Sequence, residues 1–183
     1  VSSICSVPVS GEKKPLVGIV GEIYVRCNPF CNSNLIRTVE KCGGESWLSP
    51  ISEWVLYTSW FENYYTGKTS RMPLKKLLVS LKTDYLFSKV RLYEKELEHW
   101  LGDRREPHIE SVIHSGAQHL PLDFEGEAIL TIGRAVEFLK TDAAMVVNCA
   151  PFGCMPVNIT SALLNPIQQY YRRPVVTMYY DRE

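Results

Sequence analysis

The chain has 183 residues, 45% of them hydrophobic, and its 20 basic and 20 acidic side chains leave no net charge. That balance argues against a nucleic-acid-binding or membrane-attached surface, and no apolar run nears the roughly 20 residues of a membrane span. Six cysteines are too few for a disulfide framework in a chain this large, so a reducing cytoplasm with free or ligating thiols is expected.

The opening "VSSICSVPVSGEKKP" is rich in Ser and Pro and has no apolar core of signal-peptide length, which argues against secretion. With secretion set aside, the sequon "NIT" at Asn158 reads as a chance match. Residues 1–14 read as a flexible tail and 15–183 as a single α/β domain with a helical insertion at about 51–120. "LVGIVGEIY", Leu16 to Tyr24, begins as a continuous apolar run, the pattern of a strand buried on both faces. A helix follows and ends at "CGG", where Gly43 and Gly44 suit a C-cap, and "ESWLSP" is the second strand.

The middle of the chain is aromatic-heavy from Ile51 to Tyr65, then helical from Pro73 to Leu101. Leu74, Leu77, Leu78, Leu81 and Tyr85 recur there at helical spacing and drift onto Val90, Tyr93, Leu97 and Trp100. This stretch reads as a helical insertion against the sheet edge, with a partner-binding helix as the alternative. "DFEGEAILTIGRAVEFLKTD" predicts a helix capped by Asp123, with Glu125 and Glu127 at its positive end and Ile129, Ile132, Val136 and Leu139 in one stripe. "AAMVVNC" is the third strand. "NITSALLNPIQQYYRR" predicts a helix from Asn158, kinked at Pro166, and "PVVTMYYD" is the fourth strand.

Strands alternating with helices predict a doubly wound, mostly parallel four-stranded sheet in the order 2-1-3-4, with helices on both faces and right-handed crossovers. Such sheets gather functional groups just beyond the carboxyl ends of their strands. Those ends supply Glu22, Tyr24 and Arg26 after strand one, and Pro50, Glu53 and Trp54 after strand two. Cys149 to Cys154 follow strand three, and Asp181 follows strand four. All converge on one edge. Arg26 is expected to pair there with a carboxylate, Glu22 or Glu53.

The thiols at that edge invite a metal reading. Cys154 precedes a helix whose dipole and free amides favour an anionic ligand atom, so it stands between a ligand and an ordinary turn residue. Cys149 reads as a small residue ending a buried strand. Cys27 and Cys31, at C-x3-C in "RCNPFCN", read as incidental loop residues, as do Cys42 at a helix end and Cys5 in the tail. The "APFG" between Cys149 and Cys154 predicts a tight loop and no disulfide across it. His99, His108, His114 and His119 match no metal-binding spacing, and Gly18 and Gly21 form no dinucleotide fingerprint.

The blocks "VGIVGEIYVRCNPFCNSNLIRTVEKCGGESWLSPISEWVLYT", "FEGEAILTIGRAVEFLK" and "VVNCAPFGCMPVNITSALL…PVVTMYYD" are similar to those of the acyl-CoA dehydratase activase-related proteins, relatives of the 2-hydroxyacyl-CoA dehydratase subunits. The resemblance runs from about Lys14 to the end and is weakest in the helical middle. "GEIYVR.NPF" and "PFGCMP" together are specific. It implies an iron–sulfur system of anaerobic metabolism, in which an ATP-hydrolysing activase passes a low-potential electron to a dehydratase-like component. On that pattern Cys154 is a cluster ligand, with Cys149 the neighbouring candidate. Glu22, Tyr24, Arg26, Glu53 and Asp181 would shape the pocket. The pattern usually reads "CMPG", where this chain has Val157, and usually continues past "YYDG", where this chain stops at Glu183.

No P-loop is present, so ATP hydrolysis is not expected of this chain. The resemblance implies one domain of a longer protein, with the cluster in the full-length parent and none in this chain alone. The implied partners are activase and dehydratase components; a further reading is an acyl-CoA pocket, in which Arg26 would meet phosphate or carboxylate and aromatics would line the acyl end. The competing expectation is a non-catalytic α/β docking module of the same assembly.

Overall fold

A computed structural model describes residues 12–101, 104–124 and 126–181, the side chains at 98–101 excepted. Most of the expected tail, with Cys5, lies outside these residues, as do Glu125 and the side chains of His99 and Trp100. The four strands are β1 (Leu16–Gly21), β2 (Glu45–Leu48), β3 (Ala143–Pro151) and β4 (Val175–Tyr180). They form one all-parallel sheet in the order β2-β1-β3-β4, as the alternation of strands and helices predicts.

Seven helices appear among the described residues. These are α1 (Ile23–Cys27), α2 (Leu35–Lys41), α3 (Ile51–Thr69), α4 (Pro73–Leu101), α5 (Ile109–Ala117), α6 (Glu127–Lys140) and α7 (Met155–Tyr171). No helix among the described residues is long and apolar enough to cross a membrane.

Side chains of a strand alternate between faces, and β1 is apolar on both. Leu16 and Val20 join Val146 in a core built with α5, α6 and α7, while Val17 and Ile19 join Val147 and Cys149 in a smaller one with Val25 and Leu35. The sheet is therefore covered on both sides, which is why β1 reads as an unbroken apolar run.

Helix α6 is the centre of the larger core. The stripe Ile129, Ile132, Val136 and Leu139 is buried, and so are Thr131 and Arg134. Its approach to α5 requires a glycine, because a Cβ at Gly133 would lie 1.9 Å from the Val112 carbonyl oxygen.

Three boundaries differ from the sequence expectation. Strand β1 ends at Gly21, and "IYVRC" is helical instead of extended. Helix α6 is capped by Gly126, three residues after Asp123. Helix α7 starts at Met155, with a proline in its first turn, and runs through Pro166 to Tyr171. A proline at a helix start loses nothing, since that amide has no helical partner in any case.

The helical insertion is a hairpin of α3 and α4. Helix α4 packs along α3 and stays clear of the sheet, joined by the buried Ser59–Thr83 hydroxyl pair at 3.1 Å.

Candidate functional site at the carboxyl edge of the sheet

Because the sheet is wholly parallel, all four strand ends lie along one edge. Chain order reverses there: the connection after β1 leads to β2 on one side, and that after β3 leads to β4 on the other. A crevice at such a reversal is where doubly wound sheets bind ligands. Here the reversal lies between the ends of β1 and β3, flanked by Glu22 and by the turn leading to Cys154.

Gly21 sets the first wall. Its φ is +114° and a Cβ would lie 2.1 Å from the Cys149 carbonyl oxygen, so only glycine fits. The chain turns there, and the Glu22 amide donates to that same carbonyl at 2.8 Å. The Glu22 carboxylate then caps α1, accepting from the amides of Tyr24 at 3.1 Å and Val25 at 2.8 Å.

Arg26, 2% exposed, lies under this turn. One terminal nitrogen donates to the Gly21 carbonyl at 2.7 Å, the other reaches the Pro50 carbonyl at 3.5 Å, and its Nε has no hydrogen-bond partner. The expected ion pair with Glu22 or Glu53 does not form. Glu22 is committed to the α1 amides, and Glu53 turns the other way. It accepts from Ser49 Oγ at 2.8 Å and lies 3.6 Å from Arg134 Nε.

Arg134 is itself buried, its guanidinium lying over the rings of Trp47 and Phe138, and it is paired also with Glu106. Burial pushes the Glu53 carboxyl above its ordinary value, against the pull of Arg134, Ser49 and Arg26. Glu127, in the first turn of α6, is also held high, by burial and by the nearby Glu22 carboxylate, with Arg26 opposing. That coupling places the α6 N-terminus at this edge.

Beside it is a cavity of about 460 Å³ lined by Trp54, Tyr57, Phe61, Tyr65, Gly126 and Glu127. Another, of about 660 Å³, lies toward the amino ends of the strands, among Lys14, Trp47 and Asp142. The first adjoins the α6 N-terminus, and a smaller one, of about 40 Å³, is lined by Pro50, Glu53 and Glu106.

The second wall is the turn after β3. Gly153 takes φ +75°, the Cys154 amide donates to the Pro151 carbonyl at 3.3 Å, and Cys154 becomes the N-cap of α7. This is the tight loop that "APFG" predicts. Cys154 is half-buried, its side chain makes no capping hydrogen bond, and it shares no disulfide with Cys149; the five described cysteines are free.

Cys149 is a different thiol. It is wholly buried, and burial pushes it up to about 12, with Arg26 opposing and Cys27 adding to the rise. Tyr180, at the end of β4, is likewise raised to about 12 by burial and by Cys149. Asp181 follows it, exposed.

The strand ends thus gather Glu22, Arg26, Glu53, Cys149, Cys154 and Asp181 along one edge, with Tyr24 on α1 and Trp54 on α3 beside them. Within it they divide into Glu22 with Arg26 at the end of β1, Glu53 with Arg134 at the end of β2, and the thiols at the end of β3. Among the described residues no three Cys, His, Asp or Glu side chains converge as a metal cage.

Sequence reasoning missed Arg134 and the coupling of Glu127 to the edge. It also missed an apolar rim: Phe30 and Phe152, 90% and 75% exposed on turns, and Met155, 69% exposed at the start of α7, join the expected Tyr24, 64% exposed on α1. The signal lay in the two Pro-Phe turns, since a large apolar residue at a tight turn has no core to enter. No family model, curated protein or solved structure matches the chain.

Proposed function

We propose that this chain is one domain of an activase/dehydratase-type iron–sulfur protein, acting in low-potential electron transfer to the dehydration of 2-hydroxyacyl-CoA thioesters. The observation that supports it most is the position of Cys154. Its half-exposed thiol stands free at the N-terminus of a 17-residue helix, beside the crevice between β1 and β3. Helix amides and dipole there favour the negative charge of a metal-bound sulfur.

The two thiols fit a cluster unequally. Cys154 is accessible and suits a ligand. Cys149, buried and held protonated, does not, and its place is in the packing between β1, α1 and β4. The reading therefore takes one thiolate from this chain and the others from another domain or subunit. A bound cluster would supply one-electron chemistry at low potential. This chain's own residues would orient it: Glu22 and Arg26 fix the β1 wall, and the Phe152–Gly153 turn fixes the sulfur.

The exposed rim favours the second reading, a docking module without a cluster of its own. Four large apolar side chains around one crevice are what a partner surface would cover.

Anaerobic reconstitution with iron and sulfide, on this domain together with the components that complete the assembly, separates the two. Cys154→Ala should lose the cluster's absorption and its electron acceptance, while Cys149→Ala keeps both. Full iron content and electron acceptance in Cys154→Ala would leave the docking module as the surviving reading.

A further inference from the structure

Helix α4 has two apolar faces. The inner one, carrying Val79, Thr83, Phe87 and Val90, packs on α3 and its surroundings. The outer one is bare: Leu74, Leu78, Leu81, Tyr85 and Leu92 are each more than half exposed. The first four recur at four, three and four residues and Leu92 lies seven beyond Tyr85, with Ser88 between them, so all five lie on one seam opposite the inner face. The seam spans about 27 Å of helix. A contiguous exposed apolar strip of that length marks an interaction surface.

The charges beside the seam identify what would cover it. In heptad terms Leu78, Tyr85 and Leu92 are a positions and Leu74, Leu81 and Ser88 are d positions. The flanking e positions are then Lys75, Lys82, Lys89 and Glu96, and the g positions are Leu77, Asp84 and Arg91. In a parallel pair each g faces the e five residues on in the other helix. Asp84 would then meet Lys89, and Arg91 would meet Glu96, each pair formed twice. An antiparallel pair sets e against e and g against g, which brings Lys82, already paired with Glu62 in its own protomer, against Lys89, while Asp84 meets Arg91. The pattern complements itself at both charged g positions in the parallel orientation and is of mixed sign in the antiparallel one.

We infer that α4 is the dimerisation element of this protein, and that a second copy of the chain covers its outer seam in a parallel, two-stranded coiled coil. The positions that face solvent in an ordinary coiled coil are instead turned to the protein's own α3 and its surroundings, Val79 and Thr83 buried and Phe87 and Val90 half-buried. The pair therefore forms the centre of a bundle of four helices. Nothing in this depends on iron at the sheet edge, which is a separate surface.

Sedimentation equilibrium on the 183-residue chain should give twice the chain mass, with a dissociation constant of about 10 μM or tighter. Leu81→Lys should raise that constant roughly a hundredfold or more, with circular dichroism unchanged because Leu81 supports nothing inside the protomer. Lys89→Glu should weaken the dimer by opposing Asp84, and adding Asp84→Lys should restore it. Ser88→Cys, at a d position, should give a disulfide-linked dimer under oxidised glutathione that the unmodified chain does not. A chain that stays monomeric at about 100 μM would overturn the inference and leave the seam to another protein or domain. A dimer indifferent to Leu81→Lys would place the interface elsewhere, and a failure of Ser88→Cys to crosslink would overturn the parallel orientation.

Discussion

Arg26 and Glu53 are both buried at the carboxyl edge of the sheet, yet they form no ion pair. The guanidinium is held by main-chain carbonyls at the ends of β1 and β2, while the carboxylate belongs to Ser49 and Arg134. The arginine thus acts as a clasp between two strand ends. Charged donors on carbonyls are among the stronger hydrogen bonds, so Arg26→Ala should destabilise the fold by about 2–3 kcal/mol. Urea denaturation checks this, and a loss below about 0.5 kcal/mol would refute the clasp.

The raised carboxyl of Glu53 gives a pH dependence of definite sign. A group held above its unfolded value near 4.5 binds more protons in the folded state. Its contribution to stability is therefore complete below about 4.5 and is lost as the pH rises through the folded value. Glu127 is raised as well and adds to the same slope. Glu53→Gln should flatten the fall in stability above that point without abolishing it. Denaturation midpoints measured across the acidic range would show whether the slope changes; an unaltered slope would count against the assignment.

Thiol accessibility should sort the cysteines. Cys42 is exposed and Cys154 half-buried, whereas Cys149 is buried and raised to about 12. Brief alkylation of the native protein, read by peptide mass spectrometry, should modify the first two and spare Cys149 until denaturant is added. Labelling of Cys149 as fast as Cys42 would contradict the packing of β3.

Gly21→Ala tests the floor of the crevice. The substitution combines an unfavourable φ of +114° with a backbone overlap at 2.1 Å, and should destabilise by roughly 3 kcal/mol or more. Glu22→Ala removes only a helix cap and should cost about 1 kcal/mol. Equal losses for the two variants would mean that the turn is not the tight point.

The sheet was legible because its signal is local. Continuous runs such as Leu16 to Val20 and Met145 to Val147 have one use, a strand buried on two faces. The missed boundary after β1 shows the limit of that signal. "IYV" favours extended chain by composition, but the left-handed Gly21 and the Glu22 cap turn it into α1. Cap chemistry misled in the same way at α6, where Asp123 offered a conventional cap and Gly126 took the position.

The edge residues could be read because topology alone aligns strand ends. The pairing among them could not. Arg134 stands 81 residues beyond Glu53 in the chain, and only the packing of α6 against β1, β3 and α3 joins them. Motif order favoured Arg26 as the partner, while the carbonyls of Gly21 and Pro50 were nearer its reach.

The hydrogen bond from Glu22 to Cys149 joins two main-chain groups. No exchange of side chain at either position removes its donor or its acceptor, proline at 22 excepted. The junction between the ends of β1 and β3 is thus insulated from substitution of either side chain. A lineage could trade the capping carboxylate for an amide there, or the buried thiol for a methyl, and inherit the same alignment of strand ends.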